Sequence, residues 1–146
     1  MPLIKQIEPS QRGFSLIEVM VAVFVLAIGL LGLAGLQVAS LKSNHSAQLR
    51  TEAVIHVYDI IDRMRVNKLV AQAGGYDIAL ATPSPVSASV VDTDRVAWKA
   101  AIAASLPGGA GAIVTATGVT TITIQWDDSR GTGGSNTQRF SISTEL

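Results

Sequence analysis

One carboxylate, Glu18, stands at the start of a long apolar run, and its position is the strongest suggestion of chemistry in this chain. The next charged residue is Lys42, because residues 19–41 contain none. An acidic side chain at membrane depth is costly, so by default it has a function and a partner of opposite charge. The alternative is a carboxylate that reaches out to the lipid headgroups. If Glu18 has such a function, a positively charged group should pair with it.

The apolar run is long enough to span a membrane, since a helix needs about 20 apolar residues to cross the hydrocarbon core. A secretory signal would have a shorter apolar stretch with a small-residue cleavage site after it. Residues 36–41 contain no Ala-x-Ala site, and Lys5 and Arg12 lie on the N-terminal side of the run. The sequence predicts a retained transmembrane anchor with a cytoplasmic N-terminus. A buried helix of a soluble protein is the alternative.

The start of the run resembles the type III signal of type IV pilins and type II secretion pseudopilins. A short charged leader is followed by Gly13-Phe14-Ser15-Leu16-Ile17-Glu18 and then by Val19-Met20-Val21-Ala22. The resemblance implies that a prepilin peptidase cuts after Gly13, that Phe14 becomes the N-methylated first residue, and that Glu18 assists assembly. It also implies three parts: a cleaved leader (1–13), a transmembrane and assembly helix (14–41), and a periplasmic domain (42–146).

Cleavage at this junction would supply a partner for Glu18. It leaves an ammonium group on Phe14, and a carboxylate four positions along a helix lies about one turn, roughly 5–6 Å, away. In the low-dielectric core of a filament, Glu18 could pair with the amine of a neighbouring subunit, because an unpaired charge there is expensive. Such pairing would fix the axial register between subunits.

Other chemical patterns in the sequence are weak. The chain has no cysteine, and His45 and His56 lie apart on a polar segment with few acids nearby, which disfavours a metal site. No serine lies in a Gly-x-Ser-x-Gly motif, and residues 131–134 lack the lysine of a phosphate loop. Turn chemistry explains Asp127 and Asp128, whereas a calcium loop needs more oxygen ligands. We expect no enzyme activity, no metal and no cofactor.

A single helix is predicted to continue from the anchor into the domain, from about Phe14 to Leu69, with glycines at 74 and 75 ending it. Apolar residues recur along one helical face at Leu49, Ala53, Val57, Ile60 and Met64, and Val54 and Ile61 widen the stripe. Asp59 and Arg63 form an i,i+4 ion pair off this stripe.

Gly29, Gly32 and Gly35 interrupt the first half of that helix. Each glycine costs about 1 kcal/mol relative to alanine in a helix interior. Either these small residues let transmembrane helices approach closely, or they form a stretch that loosens on assembly. Many major pilins carry proline at the position that matches Gly35, so any loosening here would rest on glycine alone.

The rest of the chain predicts a small α+β domain in which a long helical spine packs on an antiparallel sheet. Residues 78–91 predict a loop, and a helix from about Thr93 to Leu106 is capped by Asp92 or Thr93. Alternating apolar and hydroxyl residues predict strands at 112–117, 121–126 and 138–144, with a tight turn at Gly118-Val119. In the expected core, side chains of the strands pack against the helical stripe: Trp126, Ile124, Phe140 and Ile142 against Val57, Ile60, Ile61 and Met64.

Downstream residues narrow the resemblance to minor pilins of type IV pili. They are residues 59–68, 74–76, 106–109 and 123–128, together with Trp98. This implies a non-catalytic subunit that meets a prepilin peptidase, other minor pilins and the major pilin, and that helps to initiate pilus assembly. It also implies a single-pass protein of the inner membrane that later enters the pilus. The alternatives are the I-type minor pseudopilin of type II secretion and an uncleaved bitopic membrane protein.

Composition disfavours a nucleic-acid partner, and no small-molecule substrate is expected because the sequence offers no convergent catalytic group. The formal net charge is zero at pH 7, and the basic residues after Lys68 are the scattered Arg95, Lys99, Arg130 and Arg139. DNA uptake would require a clustered basic surface. At 146 residues, the chain suffices for one small domain on a membrane stem. Without disulfides, that domain depends on its core and its neighbours.

Overall fold

The computed structural model describes residues 13–146 and shows an α+β protein with a long N-terminal helix packed on a small sheet. The helices are α1 (Leu16–Val66), α2 (Lys68–Gln72) and α3 (Val90–Ser105). The strands are β1 (Ala110–Ala116), β2 (Val119–Trp126) and β3 (Gln138–Glu145). The chain divides into a first unit that ends at Val38 and a second unit that begins at Ala39.

The first unit is an apolar helix with no core of its own. Among residues 13–146, α1 is the one helix that is long and apolar enough to cross a membrane, judged by length and composition, and none of its apolar window is buried. Side chains as large as Phe24 stand 67% exposed. A helix that is hydrophobic all round is stable only where other apolar groups cover it, so this part requires lipid or other helices.

The long helix is interrupted earlier than the sequence predicts. A single helix to Leu69 is wrong, because α1 ends at Val66 and α2 begins at Lys68. Between them the N–H of Asn67 donates to the carbonyl of Met64 at 3.1 Å, which tightens the last turn. The predicted glycine stop is confirmed at Gly74, whose φ of 78° favours a residue without a side chain.

The three strands form an antiparallel sheet in the order β1-β2-β3. Ile122 in the central strand lies opposite Ile113 on one side and Ile142 on the other. The predicted strands are confirmed within two residues at each end. The predicted turn is one residue late, because Thr117 and Gly118 make it, with φ values of 50° and 82°. Two positive φ angles suit the tight hairpin turns whose twist matches that of the strands.

One hydrophobic cluster holds the second unit together. Ile60 of α1, Trp98 of α3 and Ile124 of β2 are each 0% exposed, so three elements meet without solvent between them. The predicted packing of strand residues on the helical stripe is confirmed. Phe140 and Ile142 are only partly buried, because β3 lies at the edge of the sheet.

Helix α3 begins earlier than predicted, and its cap is a different residue. Ser89 is the N-cap, and its hydroxyl oxygen accepts the N–H of Asp92 at 3.1 Å. Asp92 therefore lies in the first turn, where its carboxylate accepts hydrogen bonds from Ser87, Ser89 and Arg95. A serine upstream of the expected start supplies the cap, and a carboxylate in the first turn complements the helix dipole.

Acid should weaken this helix start. Hydrogen bonds from Ser87 and then from Arg95 lower the pKa of Asp92 from its ordinary 3.8 to about 2. Because the folded-state pKa is depressed, the stabilisation is complete above the ordinary pKa and is lost as pH falls towards about 2. We expect wild type to lose stability over this window, while Asp92→Asn is less stable near neutral pH and changes less on acidification. Thermal unfolding of both proteins at a series of pH values measures this, and parallel curves would contradict it.

Candidate processing and assembly site

The Gly13–Phe14 junction lies outside the helix and is open to solvent. Gly13, Phe14 and Ser15 precede α1, and the Phe14 side chain is 83% exposed. The first helical hydrogen bonds begin at Ser15, whose carbonyl accepts the N–H groups of Glu18 and Val19 at 3.0 and 3.3 Å. The peptide bond between Gly13 and Phe14 therefore takes no part in the helix and is accessible to an enzyme.

Nothing in the described fold requires a glycine at position 13. A Cβ atom built there meets no atom within 4 Å, and the backbone is not in the left-handed region. The same open space surrounds Gly29, Gly32 and Gly35 in α1. The spacing of three places these helical glycines along one side of α1. The folded chain therefore does not explain why glycine occupies these positions. Both predictions for the helical glycines, close approach of helices and loosening of the helix on assembly, stay open.

Glu18 lies in the first turn of α1 and is exposed. It has no ion-pair partner among residues 13–146. An acid in a first turn interacts favourably with the positive end of the helix dipole. The spacing from Ser15 to Glu18 is also that of a capping box, a local signal that the sequence analysis missed. The carboxylate is therefore compatible with the start of the helix and still available to a partner.

Residues from separate parts of the narrower resemblance meet in one polar network. Arg63 donates to Asp59 at 3.2 Å, as the sequence predicts, and also to Asp94 of α3 at 3.3 Å. The hydroxyl of Tyr76 donates to the same Asp94 at 2.8 Å. The hydrogen bond to Asp59 raises the pKa of Arg63, and burial raises the pKa of Tyr76. This network ties α1, the turn after α2 and α3 together.

The loop that precedes α3 is held by basic residues of that helix. Lys99 donates to the backbone carbonyls of Ala79 at 2.8 Å, Leu80 at 3.3 Å and Thr82. Arg95 reaches two further carbonyl groups of the same loop at 3.2 and 3.3 Å. Burial lowers the pKa of Lys99. The side chains of Lys99 and Arg95 therefore stabilise this loop within the folded domain.

The paired acids after β2 have different roles. Asp127 accepts the backbone N–H of Ser129 at 2.8 Å, which confirms the predicted turn chemistry. Asp128 is only 3% exposed and accepts a hydrogen bond from Ser46 of α1 at 2.9 Å. Beside them lies a cavity of about 190 Å³, which His45 and Arg130 also line. No group of three or more His, Cys, Asp or Glu in residues 13–146 is arranged to hold a metal ion.

The two histidines make separate contacts. His45 lines the cavity beside the acidic loop, whereas Nε2 of His56 lies 2.6 Å from the hydroxyl of Ser105. The carbonyl of His56 also accepts the indole N–H of Trp98 at 2.8 Å. These contacts explain His56 as a residue that ties α1 to α3.

A family model described as the prokaryotic N-terminal methylation motif matches residues 9–34. The match includes the Gly13-Phe14 junction and Glu18, and it supports a type IV pilin-like family. No curated protein and no solved structure matches the chain. The motif implies processing by a prepilin peptidase and assembly with other pilins, and with the apolar helix it fits a membrane-anchored pilin. Such a family suggests a structural subunit.

Proposed function

We propose that this chain is a minor pilin of a type IV pilus, which joins other minor pilins to initiate assembly and performs no catalysis. The observation that carries the proposal is the exposed Gly13–Phe14 bond directly before an unburied apolar helix with Glu18 in its first turn. Beyond the motif, residues 59–68 and 106–109 resemble the minor pilin called PilV, or type IV pilus modification protein. The α+β arrangement of the second unit supports the same class.

In this proposal a prepilin peptidase cuts between Gly13 and Phe14, and Phe14 is then N-methylated. Residues 14–41 serve as the transmembrane and assembly helix, and residues 42–146 form the periplasmic domain. The division of the structure after Val38 lies close to that boundary and supports it. The subunit crosses the inner membrane once, with its N-terminus in the cytoplasm, and enters the pilus with the other minor pilins and the major pilin.

Glu18 supplies the charge that the assembled helices need. Removal of the leader creates an amine at Phe14, four positions before the carboxylate of Glu18. When apolar helices pack together, the amine of an incoming subunit brings a positive charge into a low-dielectric environment, where an unpaired charge is expensive. A carboxylate without an ion-pair partner in residues 13–146 is available to neutralise it.

Glu18→Ala should leave leader cleavage, membrane insertion and domain folding intact, because none of these needs the carboxylate. It should reduce the recovery of other pilins with the detergent-extracted protein and lower the number of surface pili. Glu52→Ala removes a carboxylate from the same helix within the second unit, so it is the matched control and should behave as wild type. Full partner recovery and piliation with Glu18→Ala would show that Glu18 is only a headgroup-level residue.

The I-type minor pseudopilin of type II secretion is the second candidate, because the signal around Gly13 and Glu18 is common to both classes. Deletion of the chain separates them. A type IV minor pilin is required for surface pili, whereas a pseudopilin is required for secretion of exoproteins. Loss of secretion with normal piliation would select the pseudopilin.

A further inference from the structure

The segment that connects α2 to α3 is rich in hydroxyl residues and proline. Residues 78–91 carry no charge, and the middle of the segment combines small apolar side chains with Thr82, Pro83, Ser84, Pro85, Ser87 and Ser89. Serine- and threonine-rich segments with proline are typical of chains that carry O-linked sugars. A sugar needs an accessible hydroxyl group and a backbone that an enzyme can bind, and the structure shows both.

The backbone of this segment is open in its middle. Residues 82–87 form no helix, strand or turn, and residues 83–88 make no backbone–backbone hydrogen bond within residues 13–146. Proline lacks an N–H donor and holds the residue before it in an extended conformation. Val86 is 91% exposed although it is apolar. An enzyme can therefore bind this stretch as an extended peptide while the domain stays folded.

Both ends of the open stretch are fixed to the domain. On one side Lys99 of α3 donates to the carbonyl groups of Ala79, at 2.8 Å, and of Thr82. On the other side Ser89 is the N-cap of α3. The stretch is therefore presented at a defined place on the surface, which suits recognition by an enzyme that modifies one residue.

The hydroxyl groups of this segment differ in availability. The Ser87 hydroxyl donates to Asp92 and accepts the N–H of Ser89 at 3.1 Å, and the Ser89 hydroxyl donates to Asp92 at 2.8 Å. The hydroxyl oxygen of Ser84 is buried. Thr82 is exposed, and its hydroxyl takes part in no hydrogen bond within residues 13–146, because the contacts of this residue use its backbone. Thr82 is thus the acceptor that the structure leaves free.

We propose that Thr82 is an O-glycosylation site. In the transfer, Oγ1 of Thr82 bonds to the anomeric carbon of a sugar that is activated on a diphosphate carrier. The bond from that carbon to the diphosphate oxygen breaks, its electron pair leaves with the diphosphate, and the hydroxyl proton passes to a base of the transferase. This rests on the proposed function, since it takes residues 42–146 as a periplasmic domain that meets a transferase of that compartment.

Mass spectrometry of the full-length chain from membranes of the cells that naturally produce it tests the proposal. Trypsin cuts after Lys68 and Arg95, so residues 69–95 form one peptide that contains the segment. We expect this peptide to carry at least one sugar unit, and fragmentation that preserves the sugar should place it on Thr82. An unmodified peptide, a sugar on a different residue of the peptide, or a phosphate on Thr82 would overturn the proposal.

Removal of the hydroxyl tests the site directly. Thr82→Val keeps the shape of the side chain, and the peptide should lose its sugar completely. Thr132→Val is the matched control, because it makes the same change at another exposed threonine, in a loop without proline, and the peptide should stay glycosylated as in wild type. Sugar retained by Thr82→Val, or an equal loss in both variants, would contradict the assignment.

The same digest reports the N-terminus, so the two hypotheses can fail separately. A chain that begins at Phe14 but carries no sugar on Thr82 would overturn this inference and leave the proposed function intact. A chain that carries the sugar but begins at Met1 would overturn the proposed processing and leave the glycosylation site intact.

Discussion

Gly13→Val should abolish leader cleavage and leave the folded chain unchanged. The structure leaves room at this position, since a Cβ atom at Gly13 meets nothing within 4 Å and the backbone conformation suits any residue. The proposed peptidase, however, must bind the chain around the Gly13–Phe14 bond and requires a small residue before that bond. Valine places a branched side chain there. Immunoblots of membrane fractions should show only the longer precursor.

Gly29→Val is the matched control for this change. It adds the same side chain to another glycine with open surroundings, within α1 and away from the junction, so leader cleavage should continue. If Gly13→Val is processed as efficiently as wild type, the junction is not the cleavage site. If both variants accumulate as precursor, the added bulk acts through membrane insertion.

Ile60→Ala should strongly destabilise the folded domain. Ile60 is 0% exposed within the cluster of α1, α3 and sheet residues. Truncation of a buried isoleucine usually costs about 2–5 kcal/mol because it leaves a cavity. For a chain of this size, that corresponds to a fall of about 4–20 °C in Tm. Near-ultraviolet circular dichroism of the protein in micelles follows the packing of Trp98 and Trp126 during heating.

Ile55→Ala makes the same chemical change on the same helix at a residue that is 54% exposed. It carries the same change in helix propensity but creates no buried cavity, so its Tm should stay close to that of wild type. Equal Tm values for the two variants would refute the assignment of Ile60 to the core.

Local sequence patterns predicted most of the fold because they record which face of an element is buried. Alternation of Ile122 and Ile124 with threonines identified β2, and the helical stripe through Ile60 identified the packed part of α1. The break at Asn67 was not predicted, because buried residues continue on both sides of it, at Met64 and Ala71. The apolar periodicity therefore continues across a turn at which the helical backbone is interrupted.

The residues of the candidate site were likewise predictable only in part. Gly13, Phe14 and Glu18 are adjacent in sequence, so the motif made them predictable. Asp94 and Asp128 were missed as structural residues, because their partners are distant in sequence: Arg63 is 31 positions from Asp94, and Ser46 is 82 positions from Asp128.

The N-terminal sequence and mass of the mature protein test the central claim most directly. The protein is extracted from membranes of cells with an active prepilin peptidase and analysed by mass spectrometry. A chain that begins at N-methylated Phe14 and lacks residues 1–13 is the predicted result. A chain that still begins at Met1 in those cells would contradict the assignment to processed pilins and leave an uncleaved bitopic membrane protein.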